Sequence, residues 1–290
     1  MSTIPEIAVP EPADLHRLDA SASSTELARN PPWTLLTAVV VWFSSVALLF
    51  LPQFIAIPYL AVHYHGTRPT TEMLLADKTL ILILVSGVLP AHLITLLIVW
   101  AVTTRFGKLS AIQTLSLTWN GKLRLWQSVA LAFMLYGAAF LLTLAFGGQG
   151  TALDRLVESS RAAALIIAFL AVVTAPLVEE CIYRGILYPA IERTAGAKAA
   201  VILVTLLFAV PHVPQYWPNI GVISSITLLS VVLTSVRART GRLLPCFVIH
   251  LVFNGIQSVI IVLEPHLRAA LETMRPESAS GAVTSFPFLH

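Results

Sequence analysis

AAALIIAFLAVVTAPLVEECIYRGILYPAI, Ala162–Ile191, is an apolar run that carries two glutamates and an arginine past its middle. A helix rising ~1.5 Å per residue needs roughly twenty residues to cross a ~30 Å hydrocarbon core, so this run reads as a membrane span. Ordinary solvation cannot explain charges there. Each charge at the bilayer centre costs at least ~2.5–3.5 kcal/mol on insertion scales, which makes Glu179, Glu180 and Arg184 candidates for function.

The rest of the chain has the same character. Of its 290 residues 57% are hydrophobic and 11% charged, with a mean hydropathy of +0.82. A soluble domain carries roughly 25% charged residues, so the composition specifies an all-α, polytopic transmembrane helix bundle. Oily runs fall at about 34–62, 80–103, 125–147, 161–193, 198–212, 220–236 and 243–263, which predicts about seven spans, possibly eight, in the lipid bilayer. The first run contains Pro52 and Pro58 and reads as tilted, kinked or divided. The net charge of +3 comes from basic residues scattered between oily segments, a pattern that points to no nucleic-acid partner. Cys181 and Cys246 lie in apolar runs without metal-type spacing and read as core residues.

Residues 1–33, rich in Pro, Ser, Ala and acids, read as a flexible tail with a short helix near Ala20 to Arg29. Residues 34–124 hold the N-terminal spans, 125–263 the segment with the intramembrane charges, and 264–290 a polar C-terminal tail. Lys and Arg set the orientation. Arg105, Lys108, Lys122 and Arg124 follow the second run, Arg193 and Lys198 follow the fourth, and Arg237, Arg239 and Arg242 follow the sixth. With seven spans these loops share one side, which predicts a cytoplasmic N-terminus and an external C-terminus.

Between Leu80 and Leu263 the acidic residues are Asp154 and Glu158, in the loop before the fourth run, Glu192, at that run's end, and Glu179 and Glu180, the two inside it. On a helix Glu180 and Arg184 are i, i+4 neighbours and form a natural ion pair. Glu179 lies about 140° around the helix from Arg184, so it points elsewhere. The alternative is that all three charges only join helices together. Downstream, FAVPH ends at His212. The turn between the fourth and fifth runs centres near Ala195 and Gly196, with Glu179 about sixteen residues before it and His212 about sixteen after, so an antiparallel hairpin brings both to similar depth. Pro211, Pro214 and Pro218 break the helix around His212, and the backbone groups they free call for a protein-lined, wet cavity. In HLVFN, His250 and Asn254 are again i, i+4 and present an imidazole and a carboxamide from one face, a pairing also common in plain interhelical hydrogen bonding. His92 has no such neighbour and reads as a hydrogen-bonded structural residue. His63 and His65, at a span end, read as solvated.

Together Glu179-Glu180-Cys-Ile-Tyr-Arg184, Phe208-Ala-Val-Pro-His212 and His250-Leu-Val-Phe-Asn254 resemble the EExxxR, FxxxH and HxxxN signature of the CAAX-processing and bacteriocin-processing (CPBP) intramembrane endopeptidases, which include the type II CAAX prenyl endopeptidase. Pro176 and Gly185, flanking the first motif, also look like the family. The likeness covers about residues 125–263. It implies an endopeptidase acting on a membrane-associated peptide or protein, with Glu179 as the general base that activates a water. His212, His250 and Asn254 would position that water and stabilise the oxyanion, with Glu180 and Arg184 as the supporting pair. Two imidazoles and Glu179 could also hold a divalent metal such as zinc with an open position. Asn is a poor zinc ligand, which favours a metal-free glutamate mechanism. Two other readings stand beside the enzyme: a non-catalytic membrane scaffold, regulator or immunity factor on the same fold, and a transporter using Glu and His as a proton relay.

Overall fold

The computed structural model describes residues 30–119, 121–147 and 150–273, and for 264–273 only the backbone. The helix expected near Ala20 to Arg29 lies outside the described residues, as does the tail beyond Thr273. Among the described residues there are helices and no strands. Six helical segments are long and apolar enough to cross a membrane: Leu35–His63, Lys78–Thr104, Leu125–Phe146, Arg161–Tyr216, Ile220–Thr240 and Leu244–Leu263. The protein is an all-α integral membrane protein.

The 56-residue segment Arg161–Tyr216 is two arms. Gly196, at φ 83° and ψ 165°, interrupts it with a left-handed φ that a side chain would resist. An unbroken helix would separate Glu179 and His212 by about 50 Å. Their side chains approach to 3.9 Å, so the chain turns back at Gly196 and the described residues form seven arms.

Backbone breaks sit where the sequence lacks ordinary helix formers. The first arm divides into Leu35–Leu48 and Leu51–His63, with Pro52 in the opening turn of the second piece and Pro58 inside it. The second arm divides at Gly87 into Lys78–Ser86 and Val88–Thr104. The two breaks face each other, since a Cβ on Gly87 would lie 3.0 Å from the Pro52 Cα. Asp77 ties these arms at their connecting loop. It caps the second arm through the Thr79 and Leu80 N–H groups and accepts from the Tyr59 and Tyr64 hydroxyls. Burial raises the Asp77 carboxyl, but the Leu80 N–H, the two tyrosines and nearby His63 outweigh it and hold it below the usual carboxylate range.

The sixth arm extends to Thr240, beyond the apolar run that ended near 236, so Arg237 lies on a helix and is buried instead of in a loop. Its Nη1 donates to the Gly241 carbonyl at 2.9 Å, which satisfies a terminal helix acceptor. The last helix continues to Thr273, past the end of the apolar run at Leu263. His63 and His65 are exposed, and Cys181 and Cys246 are buried free thiols, as their positions suggested.

Two large apolar clusters, with a smaller third of Ile81, Val85, Ala163 and Leu170, organise the interior. One joins the first, second, fourth and fifth arms around Tyr183, Ile186, Val204 and Phe208. The other joins the third, sixth and seventh around Leu135, Leu233, Ile249 and Phe253. Large side chains such as Phe43, Leu97, Met134, Ile202 and Val259 point outward, as expected of faces that meet lipid.

Candidate active site

Glu179 closes the short helix Ala175–Glu179, and Glu180 opens a π-helical stretch, Glu180–Leu187. Wider turns of this kind are rare and concentrate at functional sites. The two carboxylates part company there. The Glu179 side chain is 22% exposed and that of Glu180 only 1%, so Glu179 alone has free access to a cavity.

Glu180 is consumed by partners. Its Oε1 accepts from Arg184 Nη1 at 2.9 Å and from His250 Nδ1 at 2.8 Å, while Oε2 is buried without a hydrogen-bond partner among the described residues. The Arg184 guanidinium is completely buried. Its Nη2 donates to the Ser230 hydroxyl at 2.7 Å and its Nε to the Thr234 hydroxyl at 3.2 Å, and its planar end lies 4.7 Å over the Phe208 ring. Such packing and hydrogen bonding are what a buried guanidinium requires.

His212 lies in a 3₁₀ turn, Val210–His212, that follows the end of the α-helix at Ala209. Pro211 falls in that turn and Pro214 in the next short helix, Val213–Tyr216. The Nδ1–H of His212 donates to the Phe208 carbonyl at 2.7 Å, since a carbonyl can only accept, and the ring stacks on Phe208. His250 Nδ1–H likewise donates to a carboxylate. Both rings therefore turn Nε2 towards Glu179: His212 Nε2 is 3.9 Å from Oε1 and His250 Nε2 is 3.6 Å from Oε2. Partners on Nδ1 fix ring orientation and tautomer. Asn254, one turn beyond His250, donates through Nδ2 to the Ala171 carbonyl at 2.9 Å.

Glu179, His212, His250 and Asn254 all line one cavity of about 380 Å³, bordered by residues of all three apolar clusters. Its wall also carries His92, Tyr183 and Tyr216, together with Gln215, Gln257 and Ser258. His92 has a partner in Thr174, whose hydroxyl lies 2.8 Å from Nδ1, so it is hydrogen-bonded as expected, but it also borders the cavity, which its sequence context did not indicate. Ser230 and Thr234 were missed as well. They are four residues apart on one helix, the same spacing that drew attention to His250 and Asn254. Among the described residues no group of three or more His, Cys, Asp or Glu side chains is arranged to hold a metal ion.

Residues 161–256 match the family described as type II CAAX prenyl endopeptidase Rce1-like. That segment is similar to an Rce1-like domain. It contains all three motifs, from the glutamates of the fourth arm to Asn254 of the seventh, and the first three arms stand outside the match. No curated protein and no solved structure matches the chain significantly. The family is a family of proteases, so the likeness supports a hydrolase embedded in the membrane.

Proposed function

We propose that the protein is an intramembrane endopeptidase that cleaves a membrane-associated protein or peptide with a water activated by Glu179. The observation that carries the reading is the placement of the two imidazole Nε2 atoms at 3.6 and 3.9 Å from separate oxygens of one accessible carboxylate. When the rings are neutral these are acceptors facing an acceptor, too far apart for direct hydrogen bonds. A water beside the pair can bridge them from the cavity, donating one proton to Glu179 and the other to an imidazole.

Attack on the peptide carbonyl forms the new C–O bond while Glu179 takes the water's proton. The carbonyl electrons move onto oxygen, where the second N–H of Asn254 can stabilise them. Collapse of the intermediate breaks the C–N bond, and Glu179 returns its proton to the leaving amine. The products are a carboxylic acid and an amine, and the base is regenerated. Low surrounding polarity strengthens each of these interactions.

Glu179→Gln keeps the shape and removes the base. Comparing membrane proteomes with wild-type protein and with Glu179→Gln should reveal a new protein terminus only in the first, at equal expression. A strong chelator should leave the purified wild type active. Identical termini in both membranes would count against an enzyme and favour a scaffold. Activity lost on chelation and regained with a divalent ion would replace the glutamate–water step with a metal-centred one.

A further inference from the structure

We infer that Pro176 is a positioning residue of this site, acting through the Ala171 carbonyl on Asn254. The inference rests on the proposed hydrolase reading. Pro176 lies on the fourth arm just after the π-helical turn Leu170–Thr174, and Asn254 lies on the seventh.

The reasoning is an account of backbone donors. In an α-helix the Ala171 carbonyl would accept the N–H of Ala175. Here the Ala175 N–H bonds to the Leu170 carbonyl instead, five residues back. In that wider register the donor due to Ala171 is residue 176, and residue 176 is proline, which has no N–H. The Ala171 carbonyl is left without a helical donor, and a half-buried acceptor within a membrane bundle needs one from elsewhere. Asn254 Nδ2 supplies it at 2.9 Å.

That bond decides which way the carboxamide faces. A carbonyl accepts only, so the amide nitrogen, not Oδ1, is held against Ala171, and one further N–H remains for the reacting oxygen. The same turn is fastened from the opposite side: the Thr174 hydroxyl donates to Leu170 at 3.2 Å and accepts His92 Nδ1–H at 2.8 Å. The π-helical turn is thus a bracket between the second and seventh arms. Proline creates the vacant carbonyl in that bracket.

Pro176→Ala restores an N–H that can compete for the Ala171 carbonyl without adding bulk. With the peptide identified by the Glu179→Gln comparison, kcat should fall about tenfold or more while KM stays within about twofold, because misplacing a reacting group affects the transition state most. In an Asn254→Ala background the same substitution should have no further effect on kcat. Full activity of Pro176→Ala, or an equal loss in both backgrounds, would overturn the inference. A second measurement does not depend on proteolysis or on Pro176→Ala folding. The side-chain amide signals of Asn254 in the ¹⁵N-asparagine-labelled wild type, assigned by their loss in Asn254→Ala, should include one proton protected from exchange. Rapid exchange of both protons would sink the inference even if the protein is a protease. Protection in a protein that cleaves nothing would sustain the bracket and sink the hydrolase.

Discussion

Arg184 has no exposed side-chain surface, yet its charge is matched within 2.9 Å by Glu180 and its remaining donors meet Ser230 and Thr234. Breaking a buried pair by removing one partner costs roughly 3–5 kcal/mol, because the survivor remains as an uncompensated charge. Arg184→Ala should therefore lower the yield of folded protein sharply, measured as monodisperse material in detergent, whereas Glu179→Gln should not. Equal yields of the two variants would remove the division between a supporting and a reacting glutamate. That division was legible in the sequence because one pair has i, i+4 spacing and the other carboxylate is rotated away. The link from Glu180 to His250 was not legible, since it spans 70 residues and depends on how the fourth and seventh arms pack. His92 escaped for a similar reason. Matched arm lengths give depth only for arms joined by a short turn, and the second arm is not joined to the fourth.

The arms themselves followed from apolar length, and Gly196 from its place in a polar turn between two oily runs. The π-helical stretches did not, because apolar periodicity over a few residues cannot distinguish an i→i+5 register from an i→i+4 one. Their effect is nonetheless local and physical: one frees a carbonyl for Asn254 and the other begins at Glu180, just after the exposed carboxylate. Close approach of arms is a second property hidden from hydropathy. A Cβ at Gly221 would meet Thr143 Cα at 2.8 Å and the Leu142 carbonyl at 2.9 Å, whereas at Gly137, on the same third arm as Thr143, it would meet nothing within 4 Å. Backbone atoms cannot yield as a flexible side-chain tip can. Gly221→Ala should destabilise by about 1–3 kcal/mol through overpacking, and Gly137→Ala should be neutral or stabilise by up to ~1 kcal/mol through helix propensity. Thermal unfolding in one detergent reads both. A Gly221→Ala midpoint equal to wild type would show that the sixth arm does not pack as closely on the third as the geometry requires.

At the scale of the whole molecule, the basic loops that were expected on one side do gather at one end of the bundle. Arg105 donates to the Pro32 carbonyl, Arg193 to those of Pro31 and Trp33, Lys122 to that of Arg239, and Arg242 to the Thr118 hydroxyl. The opposite end carries the Asp77 loop and the helix Ala152–Ser159, with Glu158 exposed on it. Basic loops favour the cytoplasmic side, so this arrangement predicts which end faces which compartment. Lys198 is exposed in the turn at the basic end, and both native cysteines are buried, which suits single-site labelling. A membrane-impermeant maleimide applied to intact cells should modify Glu158→Cys and spare Lys198→Cys, and disruption of the membrane should make the second reactive. The reverse pattern would invert the orientation while keeping seven arms. Labelling of both sites from outside would instead contradict the turn at Gly196 as a crossing between opposite faces, because the fourth arm begins beside Glu158 and ends beside Lys198.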